Sequence, residues 1–260
     1  MSKNSRKAAA LVLFIPLAAA AVPVRHVEGE LHAFLSLKTI AGAMLADGDM
    51  TQVLRRGLVT SRLAFHYRDG SDFDQTAIFS QQREFRLVSF HLTEKGPAFR
   101  QPLRTDVECK TGQVTVNYTD DHGRNQVISQ HLDLPADLAN GLVPILLKNV
   151  RPTDGRATLP MLVATPEPRL VKLLVTPMGE EAFSTGSLAR KAQHYVIKVE
   201  IGGITGVLAQ IFGKTPPNTD VWMLGGEAPV FVRCEGPLDA GLPATRIELA
   251  TPVWPAKDSR

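Results

Sequence analysis

Alternation with a period of two dominates the chain. In the run from Leu58 to Asp69-Gly70, Leu63, Phe65 and Tyr67 fall on one face and Thr60, Arg62 and His66 on the other. This is the pattern of a strand with one apolar side that ends in a turn. Runs of the same kind follow at Phe73–Ser80, Phe85–Glu94, Arg104–Cys109, Val114–Tyr118 and Gln126–His131, separated by Asp-Gly, Lys-Gly-Pro, Thr-Gly and His-Gly punctuation. Intervals this short leave no room for the crossovers that parallel neighbours need, so the first half predicts an antiparallel meander. Further strands are expected at Leu170–Thr176, His194–Ile201, Asp220–Leu224, Pro229–Cys234 and Ala244–Ala250, with Gly225-Gly226 in a hairpin turn.

Two stretches break the rhythm. From Pro135 to Asn149, Leu138, Leu142, Ile145 and Leu146 recur at i, i+4, i+7 and i+8, which predicts one short helix near 135–149, distorted at Gly141 and Pro144. The following passage holds Pro152, Pro160, Pro166 and Pro168 and is expected to be a surface loop leading to the second group of strands. Ile204–Phe212 fits a helix stripe or a strand between Gly-Gly and Gly/Pro turns, and the strand is preferred because the segment lacks a good N-cap.

The first 21 residues read as a secretory signal peptide. Lys3, Arg6 and Lys7 form a basic start, Ala8–Ala21 an apolar run, and Ala19-Ala20-Ala21 a small-residue cleavage site. The run is shorter than the ~20 residues of a membrane span and Pro16 interrupts it. No transmembrane anchor is therefore expected. Removing the leader changes the charge: 29 basic against 26 acidic residues become 26 against 26. Without a clustered basic surface, nucleic acid is not an expected partner. The remaining residues, 22–260, suit a single antiparallel β domain.

The order of elements resembles a known group. A long meander, then Leu134-Pro135-Ala136-Asp137-Leu138, then strands containing His194–Glu200 and Asp220–Leu224, is similar to periplasmic bacterial proteins with the topology of the LolA/LolB-like lipoprotein carriers. The Phe79–Leu87 and Glu94–Phe99 passages resemble a subgroup in which a strand meets a Gly-Pro turn, and the likeness covers most of Val24–Trp254. The resemblance implies a strongly curved antiparallel sheet, a half-barrel, whose concave face is apolar and holds acyl chains. On that footing the expected function is non-enzymatic binding of an apolar small molecule, a lipid or a lipoprotein in the periplasm, with no cofactor. A structural or interaction protein of the cell envelope with a self-filled core is the competing expectation, and a hydrolase the third.

Candidate chemistry narrows this only slightly. If the sheet is too curved to fill itself, Phe65, Tyr67, Phe79, Tyr195, Trp222 and Phe231 line the ligand cavity; otherwise they fill a core. Trp222 shares its strand face with Leu224, so it is expected on one of those two inner surfaces. Cys109 and Cys234 end strand-like runs, and an oxidising compartment allows a disulfide between them. The seven histidines show no HxxxH or HExxH spacing; His66 and His91 form the least implausible metal pair. Asp47-Gly48-Asp49 and Asp69–Asp74 lack the ligand pattern of a calcium loop and read as hairpin turns. No Gly-x-Ser-x-Gly elbow is present, Ser184 and Ser187 fall in a Gly/Ser/Thr loop, and Glu180-Glu181 is expected in a turn.

Overall fold

A computed structural model of the chain describes residues 21–185, 188–200, 216–239 and 242–250. The expected leader and the Ile204–Phe212 segment lie outside the described residues, as does Ser187. Fourteen described strands form one antiparallel sheet built from two meanders. The first runs through β1 (Leu31–Thr39), β2 (Met44–Arg55), β3 (Leu58–Tyr67), β4 (Asp72–Gln81), β5 (Phe85–Lys95), β6 (Leu103–Glu108), β7 (Gln113–Thr119) and β8 (Asn125–His131). A crossover carrying helix α1 (Val143–Asn149) then leads to the opposite edge. From there β9 (Ala157–Thr165), β10 (Glu167–Thr185), β11 (Leu188–Glu200), β12 (Thr219–Leu224), β13 (Val230–Pro237) and β14 (Ala244–Leu249) step back until β14 pairs with β1. β8 and β9 remain as free edges, so the sheet is not closed. One face is largely apolar, and residues of both wings, β1–β7 and β9–β13, bury into one core.

The alternation holds because interruptions are absorbed locally. In β5, Phe85 and Leu87 face inward, and so do Phe90, Leu92 and Glu94, although the two sets differ in parity. A bulge reconciles them: Phe79 pairs with Leu87 and Ile78 with Ser89, leaving Val88 as the extra residue.

Three expectations are corrected. Asp47-Gly48-Asp49 is not a turn but the middle of β2, where Gly48 lies opposite Leu35 and Phe65. The Pro-rich passage is largely strand. Pro160 lies on the edge strand β9, Pro168 precedes the stretch where β10 pairs with β11, and Pro177 adjoins a bulge, so none removes a required ladder hydrogen bond. The helix is shorter than its apolar stripe: Gly141 takes a φ of 71° and α1 starts only at Val143. Pro144 thus sits in the first turn, which needs no N–H from it, and distorts nothing. The stripe still buries Leu138, Leu142, Ile145 and Leu146, the first two from irregular chain.

This crossover is bonded to its surroundings at both ends. The side chain of Asn140 donates to the Leu162 carbonyl and accepts from the Leu162 N–H, both at 2.8 Å, while Ala139 N–H reaches Pro160 O. An amide side chain here completes part of the edge of β9, as another strand would. At the other end the Asn149 carboxamide accepts from the N–H groups of Arg25 and His26 at 2.7 and 2.8 Å and donates to Ile145 O. The Arg25 guanidinium also meets the Asn149 carbonyl and Asp154. Glu28 closes the strap: its carboxylate takes Lys148 at 2.9 Å, and its backbone exchanges two bonds with Gln81. The Glu28–Lys148 pair is shielded from water and is held by these added bonds, the condition under which such a pair is tolerated.

Gly48 is required by close approach. A Cβ there would lie 2.3 Å from Cδ1 of the Phe65 ring and 2.5 Å from the Ala64 carbonyl oxygen. Gly48→Ala is expected to destabilise the protein by at least the ~1–3 kcal/mol typical of overpacking. Gly57→Ala in the β2–β3 turn, with open space around it but a φ of 79°, carries only backbone strain. Chemical denaturation of both variants checks the ranking; equal losses would show that the Phe65 contact is not limiting.

Candidate ligand cavity

The two wings do not meet completely. Between them lies a cavity of about 570 Å³. Its first wall comes from Leu35, Met50, Leu63, Phe73, Phe90 and Leu92 on β1–β5. Met161, Leu173, Ile197, Val221, Phe231 and Ile247 on β9–β14 face them. The crossover, from Asn140 to Pro144, and Leu238 and Leu242 between β13 and β14 complete the lining. Both the size and the apolar character are those of a small-molecule site.

The polar side chains in the lining are few: Gln75, Thr105, Asn140, Thr219 and Asp239. Thr105 and Gln75 line the cavity from β6 and β4, on either side of Leu92, which pairs with both. Glu94 is two residues further along β5 on the same face, opposite Phe73 and Leu103. It is 4% exposed, Thr105 2%. Neither Glu94 Oε1 nor Thr105 Oγ1 has a hydrogen-bond partner among the described residues. Burial, reinforced by Asp239, which also lines the cavity, pushes the Glu94 carboxyl up to about 9, so it is neutral at pH 7. No lysine, arginine or histidine among the described residues contributes to the lining.

Of the six aromatic residues expected to line the cavity, Phe231 does. Phe65 and Phe79 are fully buried in the core, with ring neighbours Phe73 and Phe85 at 6.2 and 6.1 Å. Tyr67 packs edge-on against Phe99, and Tyr195 donates to Val150 O at the end of α1. Burial raises both phenols to about 12. Trp222 is on neither inner surface. Val221 and Met223 take the inward positions of β12, and Trp222 lies on the outer face, stacked 4.6 Å from the His194 ring at an interplanar angle of 7°. Its indole N–H donates to Glu181, whose other oxygen meets His194 Nδ1, while His194 Nε2 meets Asp220. Glu180 and Glu181 accordingly sit in β10, not in a turn, and Glu181 is occupied by this cluster. Ser184 lies on the same strand.

The remaining candidates are dispersed. Cys109 and Cys234 are both free, and burial raises their thiols to about 11 and 12, which keeps them protonated and poorly nucleophilic. Cys234 does line the cavity, as a small apolar group. No bridge joins the cysteines: one follows β6 and the other lies on β13, strands far apart in the sheet. His66 and His91 do not meet, because β4 separates β3 from β5; each instead bonds an aspartate, Asp72 at 2.7 Å and Asp106 at 2.6 Å. Among the described residues no three His, Cys, Asp or Glu side chains form a metal-sized group, and no helix is long and apolar enough to cross a membrane.

Sequence reasoning passed over Glu94, Thr105 and Asn140. A signal for the first was present: Glu94 continues the period of Phe90 and Leu92, placing a carboxyl on an apolar face. Nothing local marks Thr105 or Asn140, since their partners are strands distant in sequence. Comparison of the chain with protein-family models, curated proteins and solved structures finds no match.

Two outcomes follow. An unfolded Glu94 titrates near its ordinary value of 4.5 and the folded one near 9, so between these limits the folded state holds the extra proton and stability falls as pH rises. Glu94→Gln should flatten that decline and melt above the parent at pH 8, by about 2–4 °C for each kcal/mol recovered; a thermal unfolding series from pH 5 to 9 reads it. Trp222→Ala removes an outer-face stack and should leave uptake of an uncharged apolar fluorophore by the cavity unchanged, which a fluorescence titration of parent and variant measures.

Proposed function

We propose that the chain is an exported, non-enzymatic binding protein for an apolar ligand, an acyl chain or lipid, held between the two wings of a carrier-like half-barrel. The observation that carries this reading is the cavity of about 570 Å³, lined by both wings and left unfilled by the side chains of the described residues that line it. Filling such a space with a ligand recovers contacts that its lining atoms otherwise lack. The competing view, an envelope interaction protein with a self-filled core, must treat the same volume as a packing defect. At about 20–30 cal/mol per Å² of apolar surface removed from water, an acyl chain gains enough on entering to be held reversibly.

Native mass spectrometry of protein purified from the periplasmic fraction of its own host tests export and occupancy together. The expected result is a chain beginning at Val22 with a lipid-sized adduct. Ala164→Phe, which places a ring into the cavity from β9, should lose the adduct while remaining folded. A clean apo mass accompanied by a stable partner protein would favour the envelope interaction reading instead.

A further inference from the structure

The β2–β3 hairpin ends in a group of side chains that the fold does not use. Its turn, Arg56-Gly57, takes φ values of 52° and 79°, and Arg56 is the only non-glycine with a positive φ among the described residues. Asparagine or glycine would hold that left-handed position with less strain than arginine. Arg55, Arg56 and, in the β4–β5 turn at the same end of the sheet, Arg83 are exposed, and their side chains have no ion pair or hydrogen bond among the described residues. Nearby, Arg86 is paired with Glu84 at 3.2 Å and Glu28 with Lys148, which leaves exposed Glu30 as the opposing charge. Apolar side chains adjoin these arginines: Leu54 is 41% exposed, and Leu58, Val53 and Leu31 are each 37% exposed. Leu31 and Leu54 extend the inward faces of β1 and β2 past the covered core, while Val53 and Leu58 point outward. Apart from its chain neighbours, no atom comes within 4 Å of a Cβ built on Gly57, so the turn stands clear of the rest of the protein.

This placement selects the occupant. Exposed apolar residues scattered singly need no explanation, but four at neighbouring ladder positions beside unpaired arginines form a patch. A protein groove covers one face of a hairpin, whereas here apolar side chains stand on both faces of the tip, which suits a medium that surrounds it. An anionic bilayer offers both halves of the match: an acyl boundary for the leucines, and phosphates whose geometry guanidinium groups bind bidentately. We propose that the tip of the β2–β3 hairpin docks the protein on an anionic lipid bilayer. Val53, Leu54 and Leu58 enter the boundary between headgroups and acyl chains, and Arg55, Arg56 and Arg83 meet the lipid phosphates. None of these residues lines the cavity, so the inference goes beyond the binding reading and does not depend on it.

Vesicle co-sedimentation of the chain from Val22 onward, the exported form expected above, tests it without a contribution from the apolar leader. The vesicles are phosphatidylcholine alone and an equal mixture of phosphatidylcholine and phosphatidylglycerol. The protein is expected to sediment with the mixed vesicles and several-fold more weakly with phosphatidylcholine, the difference narrowing as salt is raised. Arg55→Gln combined with Arg56→Asn should weaken binding to the mixed vesicles by roughly ten-fold or more. Because asparagine relieves the left-handed position, this variant should melt no lower than the parent, so its lost binding is not lost folding. Leu54→Ser combined with Leu58→Ser should weaken binding to both kinds of vesicle. No sedimentation with the mixed vesicles, or sedimentation unmoved by either double variant, would overturn the assignment. Self-association without lipid that the leucine variant abolishes would give the patch to a second copy of the chain and overturn it likewise. Each of these outcomes leaves the cavity reading where it stands.

Discussion

The crossover from Leu132 to Val150 is the constraint on which the rest of the structure depends. An open sheet of fourteen strands with one apolar face must cover that face, and its wings cannot do so by hydrogen bonding, since β8 and β9 never pair. The crossover supplies the cover. Leu138, Leu142, Ile145 and Leu146 bury into the common core, Asn140 completes the edge of β9, and Tyr195 on β11 bonds the carbonyl of Val150. Gly141 passes so close to Ala77 that a Cβ would lie 2.7 Å from the methyl carbon of that residue. One segment thus touches β4 and bonds to β9 and β11, and fixes how far apart the wings stand.

That separation sets the cavity. Irregular chain at Asn140 and Gly141 and the first residues of α1, Val143 and Pro144, border a volume that the side chains on either wall do not reach. The strap from Arg25 to Glu28 holds the far end of α1 in place through Asn149 and Lys148. Among the described residues, charged side chains are kept from the cavity walls except for Asp239. The outer face has a separate order of its own: His194, Trp222, Glu181 and Asp220 bind the long β10–β11 hairpin to β12 without touching the interior.

The sequence determined the strands whose apolar alternation is uninterrupted, because side chains in a strand point alternately to either face and one face here must be dry. From Leu58 to His131 the boundaries match to within a residue or two, and the antiparallel order follows from turns too short for anything else. It also determined that the stripe at Leu138–Leu146 is buried. Only tertiary structure decided that Asp47-Gly48-Asp49 is strand, since the reason is the Phe65 ring lying over Gly48 from the neighbouring strand. Likewise Pro160 is a strand residue because β9 is an edge of the sheet, and Pro177 because a bulge adjoins it, both properties of the pairing and not of the local sequence. The direction of Trp222 turned on which side of β12 faces the core, and the burial of Glu94 and Thr105 on one face on the pairing of β5 with β6. Local periodicity fixes that a face is apolar; it cannot fix what is on the other side of it.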